Sequence, residues 1–226
     1  MQARYSDSII LSRLNYGESD RILTLLTKDF GKVKVIARGV RKEKSKLAGG
    51  IELFCTCNIG FIESRGELAV LVSSRLIDYY GGFIKKLPRV NFAYQALKKV
   101  NKITEDSVDA SYYLLVKKLL ESLQKLELSL DVVELWWLVN LLKTTGHSIN
   151  TKSLLGGERF ADNQFYSFID NKGGFKLSKA GFTPNHIKLI ILASKRYPAT
   201  LGRVKNGERL AAELLPAIRG FVEYVL

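Results

Sequence analysis

Apolar and polar side chains alternate along residues 8–77, which is the period of β-strands that bury one face. In GKVKVIARGV, residues 31–40, two valines and an alanine alternate with lysines and an arginine. A second core-facing series predicts a strand that starts at residue 51, with Ile51, Leu53, Cys55, Cys57, Ile59 and Phe61 on one face. Turn residues at 28–31 and 64–67 help to divide the stretch into five short antiparallel strands. Such strands fit a small barrel, and both the OB-fold, which binds oligonucleotides, and an SH3-like barrel match the periodicity.

After Tyr79 the period changes to that of helices, with apolar residues three and four positions apart. Helices are predicted over 85–100, 109–128, 131–145, 184–197 and 207–225, and Pro216 is expected to kink or break the last one. Residues 154–181, rich in glycine, asparagine and aromatics, predict a loop with short strands. We therefore expect an α+β protein, with a barrel domain over 1–80 and a mainly α-helical domain over 81–226.

The chain carries 35 Lys and Arg residues against 22 Asp and Glu residues, a formal net charge of +13. This excess favours an anionic partner, either nucleic acid or an acidic protein surface, over a membrane surface. Cations are densest within residues 28–46. With two upstream arginines and a tyrosine that offers a ring for base stacking, they form the predicted DNA-binding set: Arg13, Tyr16, Arg21, Lys32, Lys34, Arg38, Arg41, Lys42, Lys44 and Lys46. A second basic surface is predicted at Lys195, Arg196, Arg203 and Lys205.

No residue pattern predicts catalysis or a bound metal. Cys55 and Cys57 share a strand face with apolar neighbours, and we interpret them as core residues. His147 and His186 belong to no triad, and neither a metalloprotease motif nor a phosphate-binding glycine loop occurs. We expect no catalytic residue, no metal and no cofactor. The two cysteines, the lack of a secretory signal and the lack of a run of about 18 apolar residues indicate a cytoplasmic protein.

The segment YGESDRILTLLTKDFGKVKVIARGVRKEKSKLAGGIELF resembles the N-terminal barrel of the bacterial recombination mediator family RecO. The shared features are, in order, the YGE turn at 16–18, the hairpin at 27–31, and the strand end at 37–41 that leads into a basic loop. The resemblance is specific in this segment. It continues more loosely through the helical middle to Phe168 and the glycine pair at 173–174.

The resemblance implies an OB-fold followed by a helical domain that contains a small zinc-finger-like insertion, which would be residues 154–181. Zinc-bearing members of the family place two CxxC pairs around this insertion, but residues 151–226 contain no cysteine. We therefore expect an insertion without zinc, held together by the packing of the aromatic residues within 160–175.

The resemblance also implies a non-enzymatic DNA repair and recombination mediator. It would bind single- and double-stranded DNA, anneal complementary strands and assist recombinase loading, with RecR and the acidic C-terminal tail of single-strand-binding protein as partners. Its location would be the bacterial cytoplasm, at the nucleoid. The residues alone leave open an RNA- or ribosome-associated basic barrel protein, an enzyme of nucleic-acid metabolism, and an adaptor that binds proteins through the helix with Trp136 and Trp137.

Overall fold

The computed structural model describes residues 2–43, 45, 47, 50–64, 66–104 and 109–226. The described residues form five strands, then three helices, then a hairpin and three more helices. The elements are β1 (Arg4–Tyr16), β2 (Asp20–Thr27), β3 (Gly31–Ala37), β4 (Cys55–Ile62), β5 (Ala69–Tyr79), α1 (Leu87–Ile103), α2 (Ala110–Leu123), α3 (Leu130–Thr144), β6 (Phe165–Ile169), β7 (Gly174–Ser178), α4 (Pro184–Lys195), α5 (Pro198–Leu201) and α6 (Gly207–Val225).

The first five strands close into a barrel in the order β1-β2-β3-β5-β4, and β4 pairs with β1 to complete the ring. This five-stranded closure, followed by helices, confirms the predicted OB-fold barrel and the α+β class. One detail of the prediction is wrong. The strands are not all antiparallel, because β3 and β5 run parallel where Val35 and Ile36 lie beside Ala69 and Val70.

The barrel interior is filled by the residues that alternation predicted. Val35 and Ala37 of β3 are fully buried, and Cys55 and Cys57 of β4 lie with them in the same core cluster. The predicted start of the fourth strand at residue 51 is wrong, because Phe54 has φ +59°, a conformation that interrupts an extended chain. The strand therefore begins one residue later, at Cys55.

A β-bulge divides β1 into two halves, and it reverses which alternate side chains point toward the barrel core. The register of β1 against β2 shifts between Ile10 and Ser12. Ile10 belongs to the barrel core, whereas the Ser12 hydroxyl donates a hydrogen bond to Thr24 Oγ1 (3.0 Å), on the face opposite the core-facing residues of β2. In an unbroken strand Ile10 and Ser12 share a face, so the bulge turns the second half over. Leu14 and Tyr16 consequently lie on the outer face and are exposed.

The chain forms two compact units, Met1–Gln124 and Lys125–Leu226. Helices α1 and α2 group with the barrel because α1 contacts β1, and α2 contacts both β1 and β2. The two helices also bury apolar residues such as Leu97, Val100, Val116 and Leu119. The domain boundary expected at 80/81 stays a prediction, since compactness alone does not show where an independently folding domain ends.

The second unit is built around α3, whose residues are apolar almost all round, so that both tryptophans are buried. Helices α4, α5 and α6 pack against it, and Trp136 Nε1 donates a hydrogen bond to the Arg196 carbonyl (2.9 Å). Pro216 does not end the last helix, which continues to Val225. The irregular stretch predicted at 154–181 contains the β6–β7 hairpin. No helix in the described parts of the chain is long and apolar enough to cross a membrane.

Candidate nucleic-acid interface

Four of the predicted DNA-binding side chains lie at one end of the barrel, which we call the rim: Tyr16, Arg38, Arg41 and Lys42. They come from two turns, one between β1 and β2 and one after β3, and the turns are hydrogen-bonded to each other. The Gly39 amide donates to Asp20 Oδ1 (2.7 Å). The Arg41 amide donates to the Ser19 carbonyl (2.9 Å), and Arg41 Nη1 donates to the Gly17 carbonyl (3.3 Å). The turn with the cations is thus fixed beside the hairpin with the aromatic ring.

All four rim side chains reach solvent. Tyr16 is 53% exposed, and the three cations are exposed as well. An exposed ring can stack on a base for about 1–3 kcal/mol, while adjacent cations neutralise phosphates without reading sequence. Two further residues of the predicted set, Lys44 and Lys46, lie outside the described residues.

The two upstream arginines of the predicted set already have an anionic partner. Arg13 and Arg21 both form ion pairs with Glu52, the second at 3.6 Å between Arg21 Nη1 and Glu52 Oε1. Arg21 Nε also donates to Asn15 Oδ1 (3.2 Å). A phosphate would have to compete with Glu52 for these guanidinium groups, so their charge is less available than the sequence suggests.

The lysines of β3 occupy a different place from the rim. Lys32 and Lys34 lie on the outer face of the strand, and Lys32 Nζ donates a hydrogen bond to the Asn101 carbonyl at the end of α1 (2.9 Å). Lys32 lies six residues before Arg38, which is about 20 Å along a strand. The structure therefore divides the predicted cationic surface into a rim and a strand face.

Sequence reasoning missed three lysines that the structure brings to this strand face. Lys98, Lys99 and Lys102 of α1 line the same groove as Lys32 and Lys34. The signal available in the sequence was the KKVNK run, whose first and last lysines lie one helical turn apart. Nothing in that run indicates which strand the helix approaches.

The predicted second basic surface belongs to the other compact unit. Lys195 and Arg196 lie at the C-terminal end of α4, and Arg203 and Lys205 lie between α5 and α6. All four are exposed. Their use as a DNA surface stays a prediction.

The two cysteines and one of the two histidines are buried, and both histidines have hydrogen-bond partners within the protein. Both thiols are fully buried, and the hydrogen bond with Cys55, together with burial, raises the pKa of the Cys57 thiol, which keeps that sulfur protonated. His186 is buried at the start of α4, where the Thr183 amide donates to its Nδ1 (3.0 Å) and its Nε2 lies 2.8 Å from Glu213 Oε2. His147 is exposed just after α3, with Nδ1 3.3 Å from Thr145 Oγ1.

The zinc-finger-like insertion is packed with rings. Phe175 contacts Phe168 edge to face at 5.0 Å between centroids, and Phe160 packs against both Phe175 (6.1 Å) and Tyr166 (5.1 Å). Within the described ranges, no three His, Cys, Asp or Glu side chains come together as metal ligands. The expectation of no zinc stays a prediction, which metal analysis of the purified protein tests.

Residues 1–80 match the family model described as Recombination protein O N terminal. The chain is 32% identical over 106 residues to a DNA repair protein RecO of Myxococcus xanthus, a match that covers 47% of this chain but only 43% of that relative. It is 29% identical over 177 residues to the RecO of Acetivibrio thermocellus, covering 77% of this chain and 69% of the relative. Against the RecO of Dehalococcoides mccartyi it is 25% identical over 230 residues, with 97% and 89% covered.

Proposed function

This chain belongs to the RecO family, and on that premise we propose that it is a non-enzymatic mediator of DNA repair and recombination. The protein binds single- and double-stranded DNA, anneals complementary strands, and assists recombinase loading on strands coated by single-strand-binding protein. RecR and the acidic tail of single-strand-binding protein are its proposed protein partners. The bacterial cytoplasm, at the nucleoid, is its proposed location.

One observation carries the DNA-binding part of the proposal. An exposed aromatic ring and three exposed cations lie on two turns that are hydrogen-bonded to each other at the rim of a five-stranded barrel. Barrels of this kind bind oligonucleotides through strand faces and the loops beside them. Because the cations neutralise phosphates and the ring stacks on bases of any identity, the rim suits a strand of unspecified sequence.

The annealing of complementary strands is the second part of the proposal. Two complementary strands repel each other through their phosphates, so a protein that neutralises charge on both strands lowers the barrier to pairing. This requires cationic surface beyond the rim, for which the groove lysines and the predicted set on the second unit are candidates.

The test is annealing of complementary strands coated with single-strand-binding protein, measured over a salt series. We expect Arg38→Gln/Lys42→Gln to slow annealing and to reduce the slope of log affinity against log salt by about 1.4, or about 0.7 for each lost phosphate contact. Lys176→Gln/Lys179→Gln is the matched control, since it removes two exposed lysines from β7 and the residue following it. Equal annealing by the two variants would refute the rim as the DNA surface.

A further inference from the structure

A groove on the barrel unit is lined by lysines from two elements. It lies between the outer face of β3 and the last turns of α1 and encloses about 530 Å³. We call it the lysine groove. Its lining residues are Thr24, Lys32, Lys34, Gln95, Lys98, Lys99, Asn101 and Lys102. Five of the eight are lysines, and none carries a carboxylate.

Strand register and helix pitch set the positions of these lysines. In the β2–β3 pairing Lys34 lies opposite Thr24, and Lys32 lies opposite Leu26, so both lysines leave the same face of the barrel. The hydrogen bond from Lys32 Nζ to the Asn101 carbonyl joins the start of β3 to the end of α1. Across the groove, Lys98 and Lys102 are one helical turn apart, so their Cβ atoms lie about 6 Å apart on one face of the helix.

Three of the groove lysines have no acidic partner among the described residues. Lys34 and Lys98 are exposed, and in the described residues neither they nor Lys99 forms an ion pair with a carboxylate. The C-terminal end of α1 favours nearby cations. The helix dipole accounts for the lysines of α1, but it does not explain why β3 also places Lys32 and Lys34 in the groove.

The lining residues indicate the class of ligand. The described residues that line the groove supply amines and neutral hydrogen-bonding groups, and none of them has an aromatic side chain on which a base would stack. It is therefore suited to phosphates rather than bases. Lys34 lies four residues before Arg38, about 13 Å along an extended chain, and the groove and the rim have no residue in common.

We propose that the lysine groove binds the phosphodiester backbone of a second nucleic-acid strand while the rim holds the first. The inference rests on the proposed function, because it assigns a location for the second strand in annealing. It places both strands on one compact unit, where charge neutralisation on each favours their approach.

A bridging assay tests the proposal. A dT oligonucleotide is immobilised on beads, and the capture of a second, fluorescent dT oligonucleotide is measured, so that base pairing does not contribute. We expect Lys98→Gln/Lys99→Gln to capture less of the second strand while retaining near-native affinity for a single strand at low strand concentration. The ratio of native to variant capture should fall about sevenfold between about 50 and about 200 mM salt, as expected for two lost phosphate contacts.

The matched control is Lys85→Gln/Lys86→Gln. This variant removes an adjacent pair of exposed lysines just before the other end of the same helix. Equal loss of bridging in both variants overturns the proposal. So does an equal loss of first-strand affinity and bridging in the groove variant, because a single strand would then span both areas. If the native protein binds no strand at all, the proposed function fails instead.

Lysine acylation of the native protein, read by mass spectrometry, gives an answer even if the groove variant does not fold. When dT oligonucleotide is added until both the rim and the lysine groove are saturated, Lys34, Lys98 and Lys99 should be protected from acylation more than Lys85 and Lys86. Unchanged acylation of the groove lysines at saturation would overturn the assignment.

Discussion

At the scale of single residues, Glu52 limits how much positive charge the two upstream arginines of the predicted DNA-binding set can offer to phosphate. Its carboxylate pairs with both Arg13 and Arg21, although the side chain is 49% exposed. Exposed ion pairs of this kind contribute little to stability, about 0–1 kcal/mol. Their larger effect is on binding, because each paired guanidinium is partly withheld from phosphate.

We predict that Glu52→Gln binds single-stranded DNA more tightly than the native protein. The substitution frees two guanidinium groups, and the salt slope should steepen by up to about 1.4 if both contact phosphate. Fluorescence anisotropy with a dT oligonucleotide over a salt series measures this. Glu63→Gln is the control for the change in net charge, because Glu63 pairs with Arg4 (3.0 Å). Equal tightening in the two variants would show that Glu52 has no special position.

In the second unit, the buried His186 donates its Nε2 hydrogen bond to the carboxylate of Glu213. Since the Thr183 amide donates to His186 Nδ1, that nitrogen is an acceptor, and the proton lies on Nε2, where it is donated to Glu213. Hydrogen bonds from Arg209 and then from His186 lower the pKa of the Glu213 carboxyl. A lowered pKa adds stability above the unfolded-state pKa, and this stability is lost as pH falls through the folded-state value.

We therefore predict that Glu213→Ala destabilises the protein by about 1–2 kcal/mol at neutral pH, because it leaves the buried Nε2–H unpaired. Glu213→Gln should cost less, since its amide oxygen still accepts that hydrogen bond. The difference between the native protein and Glu213→Gln should shrink in acid as the native carboxyl becomes protonated. Urea denaturation at neutral pH and near pH 4 measures both effects. A difference that grows on acidification would contradict this account.

At the scale of elements, the β6–β7 hairpin is held by rings. Phe175 of β7 is fully buried, and it also packs against Phe182 at 6.0 Å. The contacts continue into α6 through Phe168 and Phe221, whose centroids are 5.8 Å apart. This packing supplies a physical means of holding together an insertion that has no cysteines.

We predict that Phe175→Ala destabilises the protein by about 3–5 kcal/mol, the usual cost of removing a buried ring. Phe165→Ala is the control on the partner strand, where the ring is 44% exposed, and its effect should be small. Urea denaturation followed by tryptophan fluorescence reports the loss, because both tryptophans lie in the same unit. Similar midpoints for the two variants would argue against ring packing as the stabilising feature.

Elements were predictable where a local pattern determines them. The faces of β3 follow from alternation alone, and the start of α4 follows from Thr183 and Pro184. The parallel β3–β5 pair was not predictable, because it joins segments more than thirty residues apart in sequence. The left-handed conformation of Phe54 carries no sequence signal either, since residues other than glycine rarely adopt it.

The candidate site also combines features that a local pattern predicts with features that depend on distant segments. The local charge of residues 28–46 predicts cations on β3 and after it, and the structure places the described ones on the surface. The Glu52 pairs and the α1 side of the lysine groove depend on tertiary contacts between distant segments. The sequence pattern of a single strand or helix therefore could not predict these ion pairs or this side of the groove.

At the scale of the whole molecule, positive charge is shared by both compact units. Residues 1–124 contain 21 cations and 13 anions, and residues 125–226 contain 14 and 9. Both units have a net positive charge, so neither neutralises the other, and the whole chain favours anionic partners.

We predict that reversing the charge at Lys195, Arg196, Arg203 and Lys205 weakens annealing or partner binding while leaving rim binding to a short dT strand nearly unchanged. The reason is that these residues and the rim belong to different units. Annealing rates and RecR pull-down measure the two outcomes. Native behaviour in both assays would remove this set from the proposed DNA- and protein-binding surfaces.

The bulge in β1 makes the length of that strand as important as its composition. The residue inserted between Ile10 and Ser12 sets the phase of every later position up to the β1–β2 turn. Substitutions along the strand act one at a time, but deletion of Leu11 would rotate Leu14 and Tyr16 toward the interior and bring Arg13 and Asn15 outward. We therefore expect this strand to accept changes of residue and to reject changes of length, so that homologous sequences should align across it without a gap.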